Sequence, residues 1–203
     1  MNFRQCALIA SFVLIPVVAG ATDFGVLHTG QPVAKGVWWL GGGGIAALED
    51  PHREALVLSA GTGLGPKADA EVKWSLSGDD MAIGGDINYL VFHSGPADKP
   101  VDVSVGAGYH YVNHDTSDQN AFDIQGIVSK LLNPKTSVYG ALTLSFGSQD
   151  VPEGFDGSYT AANLVPGIDY KINDKINAVV ELGIGLNDSA TSYIAGGIHY
   201  YIR

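Results

Sequence analysis

Apolar and polar residues alternate along most of this chain, in segments of about 10 to 14 residues separated by clusters of Gly, Pro, Asn and Asp. The clearest segment covers 175–187, where every second residue from Ile176 to Leu186 is apolar. Its other face carries Asn177, Glu181 and two glycines. A period of two places these sets of side chains on opposite faces of a β-strand. The pattern therefore predicts an all-β protein.

About ten such segments follow one another along the chain. The predicted strands lie near 35–48, 53–65, 68–78, 81–93, 99–112, 119–132, 135–148, 158–172, 175–187 and 191–202. Four consecutive glycines, Gly41 to Gly44, blur the alternation in the first of them. Short connectors such as Asn133-Pro134-Lys135 alternate with longer ones such as 147–158, which is typical of barrels with tight turns at one end. We therefore expect a closed antiparallel up-and-down barrel of about ten strands, although eight would also fit.

The composition of the two faces distinguishes a membrane barrel from a soluble one. A soluble barrel turns its apolar residues inward, whereas a membrane barrel turns them toward lipid. The polar face here is rich in Gly, Ala, Ser and Asn with isolated charges, which suits a crowded interior. Aromatic residues near the strand ends suit the two interfaces of a bilayer. They are Trp38, Trp39, Trp74, Tyr89, Tyr109, Tyr111, Phe146, Tyr170 and Tyr200. These features favour a transmembrane β-barrel, with a periplasmic lipocalin-like binder of apolar ligands as an alternative.

The first residues of the chain have the pattern of a secretory signal peptide. Arg4 supplies a positive charge, residues 6–18 are mostly apolar, and Ala19-Gly20-Ala21 forms a small-x-small cleavage pattern. The apolar run is shorter than the roughly 20 residues that cross a bilayer as a helix. We therefore expect a signal peptide over 1–21, a periplasmic N-terminal segment over 22–34 and the barrel domain over 35–203.

Charge and composition narrow the range of partners. The net charge is −10 and the chain has only 11 Lys and Arg residues, whereas nucleic-acid binding requires a basic face. Charged residues make up 16% of the chain, compared with roughly 25% in soluble domains. The single cysteine, Cys6, lies in the predicted signal peptide, so the mature chain has no disulfide. We expect no nucleic-acid partner.

The signal peptide, the alternating segments and the last strand together resemble those of the small outer-membrane β-barrel proteins of Gram-negative bacteria. The resemblance covers nearly all of the mature chain and rests on generic motifs. In that group the final strand usually ends in an aromatic residue; here Ile198, Tyr200 and Ile202 keep the spacing, but Arg203 follows. The resemblance implies a location in the outer membrane, contact with outer-membrane lipids, and the barrel-assembly machinery as a partner during biogenesis. It does not specify an oligomeric state.

Nine ionisable residues fall on the polar face of the predicted strands. Charges inside a narrow barrel need partners, because lone buried charges are destabilising. We therefore interpret these residues as a polar network that fills the lumen. The alternative is a thin solute path, which would favour cations because the acidic residues outnumber the two lysines. The nine residues are Glu71, Lys73, Asp86, Asp102, His110, Asp123, Asp169, Lys171 and Glu181.

No catalytic motif stands out along the chain. His110 and His114 have a helical metal-ligand spacing but lie at the end of a predicted strand, and residues 114–117 do not match the motif of lipid A deacylases. Gly41 to Gly44 lacks the Lys and Ser or Thr of a phosphate loop, and the acidic loop 149–158 lacks EF-hand spacing. We expect no catalytic residue, cofactor or metal, and a structural or surface role or a narrow cation-favouring channel. A lipid-active barrel enzyme is the alternative.

Overall fold

A computed structural model describes residues 24–49, 53–78, 80–96, 100–114, 117–150 and 157–202, so the predicted signal peptide lies outside the described residues. Ten antiparallel strands run through these ranges. They are β1 (Trp38–Ala47), β2 (Glu54–Gly63), β3 (Ala68–Ser77), β4 (Asp80–Ser94), β5 (Val101–His114), β6 (Ser117–Asn133), β7 (Thr136–Asp150), β8 (Gly157–Asn173), β9 (Ile176–Gly185) and β10 (Tyr193–Ile202). Each strand has the length that crosses a bilayer at a tilt, which is about 9 to 11 residues or more. Within the same ranges, no helix is long and apolar enough to span a membrane.

The sheet closes on itself because β1 pairs with both β2 and β10. Trp38 lies opposite Ile202 and Ala47 lies opposite Tyr193, so the first and last strands are paired over their whole length. Closure leaves no edge of unpaired N–H and C=O groups, which is required in lipid because no water is present to bind them. The prediction of a closed ten-strand barrel is confirmed, and the predicted strand ends lie within three residues of the observed ones.

The connectors differ between the two ends of the barrel. The end where β1 begins and β10 ends, here called the turn end, has two hairpins of one design. Asn133 Oδ1 accepts a hydrogen bond from Lys135 N at 2.9 Å, and Asn173 Oδ1 accepts one from Lys175 N at 2.8 Å. Asn favours such turns because its side chain bonds to the main chain two residues on. At the opposite end, the loop end, β5 and β6 extend so far that only 115–116 lie between them.

Apolar side chains on all ten strands point away from the barrel axis. On β8, for example, Leu164 and Ile168 are 44% and 51% exposed, whereas the inward-facing Val165 is fully buried. In water such a continuous apolar surface would favour aggregation, but in lipid it is the stable outer face. The prediction that the apolar face lies outside is therefore confirmed. The lipocalin-like alternative, which needs this face inside, does not fit the structure.

Exposed aromatic residues gather toward both ends of the barrel. Trp38, Tyr89, Tyr170 and Tyr200 lie toward the turn end, and Trp74, Tyr109, Phe122 and Phe146 lie toward the loop end. Aromatic rings favour the headgroup level of a bilayer, so these positions match two interfacial girdles. The sequence pattern also assigns Trp39 to a girdle, and this assignment is wrong. Trp39 is only 5% exposed because successive side chains on a strand alternate, so it turns into the lumen when Trp38 turns outward.

Four aromatic side chains inside the barrel each lie over a glycine of the adjacent strand. Trp39 is paired with Gly61 across β1 and β2, and a Cβ atom at Gly61 would collide with the indole ring. The other pairs are Tyr139 with Gly167, Tyr159 with Gly147 and Tyr193 with Gly183. The missing side chain lets each ring approach the neighbouring main chain closely. Because of these glycines, four large rings fit inside the lumen without overpacking.

The chain before β1 runs inside the barrel. Residues 24–37, here called the inner segment, bring Phe24, Val26 and Leu27 into the buried apolar cluster of the lumen. The periplasmic segment over 22–34 stays a prediction from the sequence; within that range the structure buries Phe24, Val26 and Leu27 in the lumen and leaves Gln31 and Ala34 exposed. Strand alternation carries no information about a segment without regular secondary structure. Burial of its apolar side chains is favourable, and the narrow lumen provides the space.

Candidate functional site

One carboxylate of the barrel wall, Glu181 on β9, binds the inner segment at two consecutive residues. Its Oε1 accepts hydrogen bonds from Val26 N at 2.8 Å and from the Tyr193 hydroxyl at 3.0 Å. Its Oε2 accepts them from Leu27 N at 2.7 Å and from the Tyr139 hydroxyl at 2.6 Å. Glu181 is 1% exposed, and four donors satisfy a carboxylate that would otherwise be destabilising to bury. The arrangement ties two consecutive main-chain N–H groups to the wall.

The main chain of the inner segment bends around this carboxylate. Gly25 and Leu27 have φ angles of +64° and +54°, in the left-handed region. A Cβ atom at Gly25 would collide with Glu181 Oε1, so glycine is required there for space as well as for conformation. For Leu27 the left-handed conformation is unfavourable by about 1–2 kcal/mol. Its hydrogen bond to Glu181 and its buried side chain offset that strain.

Lys73 on β3 binds the inner segment from the carbonyl side. Its Nζ lies 3.4 Å from the carbonyl oxygen of Val26. The N–H group of the same residue donates to Glu181. The same ammonium lies 3.1 Å from Asp86 Oδ2 and 3.6 Å from Glu71 Oε2. Both polar groups of the Val26 main chain are therefore bound to charged side chains of the wall. Charge-assisted hydrogen bonds of this kind are stronger than neutral ones.

A third charged residue, Asp69, anchors the inner segment nearer the turn end. Asp69 Oδ2 accepts a hydrogen bond from Val33 N at 2.9 Å, and Oδ1 accepts one from Asn88 Nδ2 at 3.4 Å. Just before β1 begins, the segment is bonded to the end of β2, where Gly36 N donates to Gly63 O at 3.3 Å. The inner segment is thus bonded to the barrel wall along its described length.

His28 lies along the inner segment between the residues that bind Glu181, Val26 and Leu27, and the residue that binds Asp69, Val33. Its Nδ1–H donates to the carbonyl oxygen of Thr29 at 3.0 Å, which leaves the lone pair on Nε2. Nε2 accepts from the Asn88 amide at 3.4 Å. One ligand atom each from His28, Glu71 and Asp86 lie within 4.8 Å of one another. An imidazole and two carboxylates, which are all metal-ligand types, therefore converge inside the lumen.

A second histidine–carboxylate group contacts the inner segment at Phe24. His110 Nδ1 lies 2.6 Å from Asp123 Oδ2, and Ser145 Oγ donates to Asp123 Oδ1. The ring of Phe24 packs edge-on against His110, with 5.8 Å between the ring centroids. Ser145 thus bonds to the carboxylate, and Phe24 of the inner segment packs against the imidazole on the same part of the wall.

The remaining residues of the predicted polar network form separate pairs toward the turn end. The pairs are Asp102 with His93 at 2.5 Å, Asp169 with Asn177 at 3.0 Å and Lys171 with Asp174 at 2.7 Å. All nine predicted residues lie on the inward face of their strands. They form several small groups instead of one network, because each side chain reaches only its near neighbours or the inner segment.

The inner segment divides the free space of the lumen. Toward the turn end a cavity of about 330 Å³, here called the vestibule, is lined by His28, Asp69, Glu71, Asp169 and His199 among others. A smaller cavity of about 60 Å³ is lined by Phe24, Val26, Lys73, His110 and Asp123 among others. The two cavities are lined by different parts of the inner segment. The vestibule is the larger of these two cavities.

Toward the loop end many inward-facing residues are apolar, although polar ones such as Ser75 and Gln119 lie among them. Ile45, Val57, Ala82, Val112 and Ala195 are 1–6% exposed and belong to the same cluster as the apolar residues of the inner segment. Narrow apolar constrictions exclude water and with it ions. The polar vestibule is thus separated from the loop end by packed apolar side chains.

Two residues of the site illustrate what the sequence could and could not reveal. Asp69 lies two residues before Glu71 and thus on the same face of β3, so the alternation points to it. His28 carries no such signal, because it lies in a segment without periodic structure. Its neighbours in space come from β3 and β4, and only the folded barrel brings them together.

Comparison with known proteins supports the fold. No protein-family model and no curated protein sequence matches the chain. An outer-membrane channel from Pseudomonas putida F1 is similar in structure, with 10% identity, 90% of this chain and 98% of that chain covered, and a TM-score of 0.52. The N-terminal barrel domain of OprF from Pseudomonas aeruginosa has 15% identity, covers 84% of this chain and 100% of that chain, and has a TM-score of 0.41. At such identities the likeness concerns the fold alone: the chain shares with these proteins a closed antiparallel β-barrel, as its sequence predicts.

Proposed function

We propose that this protein is a structural barrel of the outer membrane whose lumen is closed by its own inner segment. The observation that carries the proposal is the double attachment of Val26, with its N–H on Glu181 and its carbonyl near Lys73. Free passage of solutes requires a continuous aqueous lumen, and here a main chain bonded to the wall occupies it. The apolar exterior supports a place in lipid, where a surface of this kind is stable.

A closed barrel acts through its exterior and its ends. We expect a strain without the protein to have a weaker outer-membrane barrier, measured as greater sensitivity to detergents and bulky antibiotics. The full chain should restore the barrier. We also expect the barrel-assembly machinery to insert the protein, and depletion of that machinery should lower the amount of folded barrel. Unchanged barrier properties in the deletion strain would contradict the structural role.

A narrow cation-favouring channel is the second candidate function. The observation that favours it is the charge around the inner segment, where Asp69, Glu71, Asp86 and Glu181 outnumber Lys73. A path lined by carboxylates raises the local concentration of cations. Such a path opens only when the inner segment leaves the lumen and the apolar side chains toward the loop end separate.

Conductance in planar lipid bilayers distinguishes the two candidates. We expect the full chain to insert without steady conductance, because the inner segment fills the lumen. A variant that lacks residues 24–34 should show conductance steps if the protein is a channel, which requires the apolar side chains toward the loop end to separate. A salt gradient across the bilayer then gives the ion preference from the sign of the reversal potential, and the channel candidate requires cation preference.

The control for this experiment is insertion itself. Both chains should be extractable only with detergent from the membrane fraction and should show the β-sheet circular dichroism spectrum of a folded barrel. Steady conductance of the full chain would overturn the closed barrel. Silence of the inserted, folded deletion variant would overturn the channel and leave the structural role.

The absence of enzyme activity remains part of the proposal. Mass spectra of lipid A and of phospholipids from the deletion strain and its parent should be the same. A lipid species that disappears in the deletion strain and returns with the full chain would instead favour the lipid-active barrel enzyme.

A further inference from the structure

We propose that His28, Glu71 and Asp86 bind a divalent transition-metal ion of the zinc class, at the point where the inner segment meets the barrel wall. One ligand atom of each residue lies within 4.8 Å of the others. Donors of a tetrahedral zinc site lie about 3.3 Å apart, so side-chain rotations that move these atoms by about an ångström would bring them around one ion. An imidazole with carboxylates suits zinc and its neighbours in the first transition row.

The orientation of His28 points independently to a ligand. Its Nδ1–H is held by the carbonyl oxygen of Thr29, which leaves the lone pair on Nε2, and one ring nitrogen lies within 4.8 Å of an oxygen of each of the two carboxylates. Metal-binding histidines commonly have this arrangement, in which a main-chain carbonyl holds one ring nitrogen and the other binds the ion. The Nε2 contacts with the amides of Asn88 and Gln125 are long, at 3.4 and 3.5 Å. The lone pair is therefore available to a stronger partner.

The charge of this part of the lumen also favours a cation. The amide of Asn88 contacts both Asp69 and Asp86, which places a third carboxylate beside the group. Among the described residues, the ammonium in contact with these acids is that of Lys73, which lies near Asp86 and Glu71. Three carboxyl groups thus lie beside one ammonium, and each of them that is ionised needs a counter-charge, because buried charge without one is destabilising. A divalent ion supplies that counter-charge.

The structure provides a route for an ion to the three residues and alternative partners for Lys73, which the ion would displace. His28 and Glu71 line the vestibule of about 330 Å³, through which an ion can reach them from the turn end. Lys73 must move away from an incoming ion. Its Nζ already lies 3.3 and 3.4 Å from the carbonyl oxygens of Gly25 and Val26, so it keeps partners when the carboxylates turn to the metal.

The ion would join the inner segment to the wall, because His28 belongs to the segment whereas Glu71 and Asp86 belong to β3 and β4. A ligand that binds only the folded, closed arrangement stabilises it by mass action. Metal binding would thus hold the segment in the lumen. The site itself does not depend on the proposed structural role, since it can bind an ion in a barrel of any function.

Calorimetric titration of the untagged, folded chain in detergent with ZnCl₂, after removal of metal by a chelator, tests the proposal. We expect one ion per chain. His28→Gln and Asp86→Asn should each weaken binding at least tenfold. His93→Gln is the matched control, because His93 is paired with Asp102 near the turn end and lies outside the group. It should bind as the unaltered chain does.

A spectroscopic measurement on the unaltered chain covers the case in which a variant fails to fold. With Co²⁺ in place of Zn²⁺, a four- or five-coordinate site absorbs visible light far more strongly than the hydrated ion. X-ray absorption of the zinc-loaded chain should show scattering from one imidazole. Absence of saturable binding, equal affinity of the His28→Gln chain, loss of binding in the His93→Gln chain, or an all-oxygen shell would each overturn the proposal.

Discussion

One buried side chain, Glu181, connects the wall of this barrel to the segment inside it. The carboxylate receives two main-chain N–H groups and two tyrosine hydroxyls, and each oxygen takes one of each kind. The main chain of the segment is shaped to it, since Gly25 approaches too closely for any other residue. At the scale of single residues, Glu181 is therefore one of three charged groups, with Lys73 and Asp69, that bond the inner segment to the wall.

Glu181→Gln should loosen the inner segment. An amide keeps one acceptor oxygen but turns an NH₂ group toward two of the four donors, which then lack a partner. Buried groups left without a partner are destabilising by about 1–3 kcal/mol. We expect a loss of that size in urea unfolding of the barrel in lipid vesicles. Glu54→Gln, at an exposed position on β2, should leave stability unchanged, and equal stability of both variants would contradict the role of Glu181.

Val26→Pro should have a related effect through the main chain. Proline has no N–H group, so it removes the donor that lies 2.8 Å from Glu181 Oε1. The control is Val26→Ala, which shortens the same side chain but keeps the donor. We expect the proline variant to lose about 1–2 kcal/mol more than the alanine variant. Limited proteolysis should cut the inner segment faster in the proline variant, and equal cleavage rates would argue against the hydrogen bond.

The strands fit together through matched small and large residues. Four of the inward rings each face a glycine on the neighbouring strand, as Tyr193 faces Gly183 across β10 and β9. The match depends on register, because a shift of one residue turns every side chain to the opposite face. At the scale of elements, the glycines inside the strands are therefore part of the packing of the lumen.

Gly183→Ala should destabilise the barrel, because the new Cβ atom would collide with the Tyr193 ring and displace its hydroxyl from Glu181. Overpacking of this kind is unfavourable by about 1–3 kcal/mol. Gly126→Ala on β6 is the matched control, since nothing lies within 4 Å of a Cβ atom there. The measurement is the midpoint of urea unfolding for both variants. A Gly183→Ala midpoint no lower than that of Gly126→Ala would refute the packing argument.

The strand boundaries were predictable to within three residues, because alternation is a local property of the sequence. The inner segment was not, because no periodic pattern marks it. Trp39 shows the intermediate case. Its membership of β1 follows from the pattern, but the adjacent Trp38 made the sequence equally compatible with a place in the girdle. Register decided between the two faces.

The whole molecule is arranged for lipid, with an apolar exterior between two aromatic girdles. The polar groups that a soluble protein would present to water line the lumen, where they bind one another and the inner segment. This inversion explains why the hydrophobic share of the sequence, 46%, is that of an ordinary soluble protein. Charged and hydrogen-bonding groups therefore govern the contacts inside the lumen, and apolar side chains govern the contacts of the outer surface with lipid.

Leu164→Arg tests the membrane-facing surface. Leu164 lies outward near the middle of β8, where an arginine in a transmembrane barrel is destabilising by about 2–4 kcal/mol. Thr160→Arg, on the same face nearer the loop end, should lose no more than about 1 kcal/mol. Unfolding from lipid vesicles measures both. Equal losses at the two positions would show that depth in a bilayer does not govern this face.

The sequence by itself determined the approximate ends of the strands and the division into an apolar and a polar face, because a period of two is written locally in each segment, whereas it left eight and ten strands both open. It also supplied the charged residues of the lumen. Only the tertiary structure decided the partners of those charges, since Val26 and Glu181 are 155 residues apart along the chain. The same holds for the inner segment and for the convergence of His28 with Glu71 and Asp86. Contacts of this kind exist only after the barrel has closed, and closure is a property of all ten strands together.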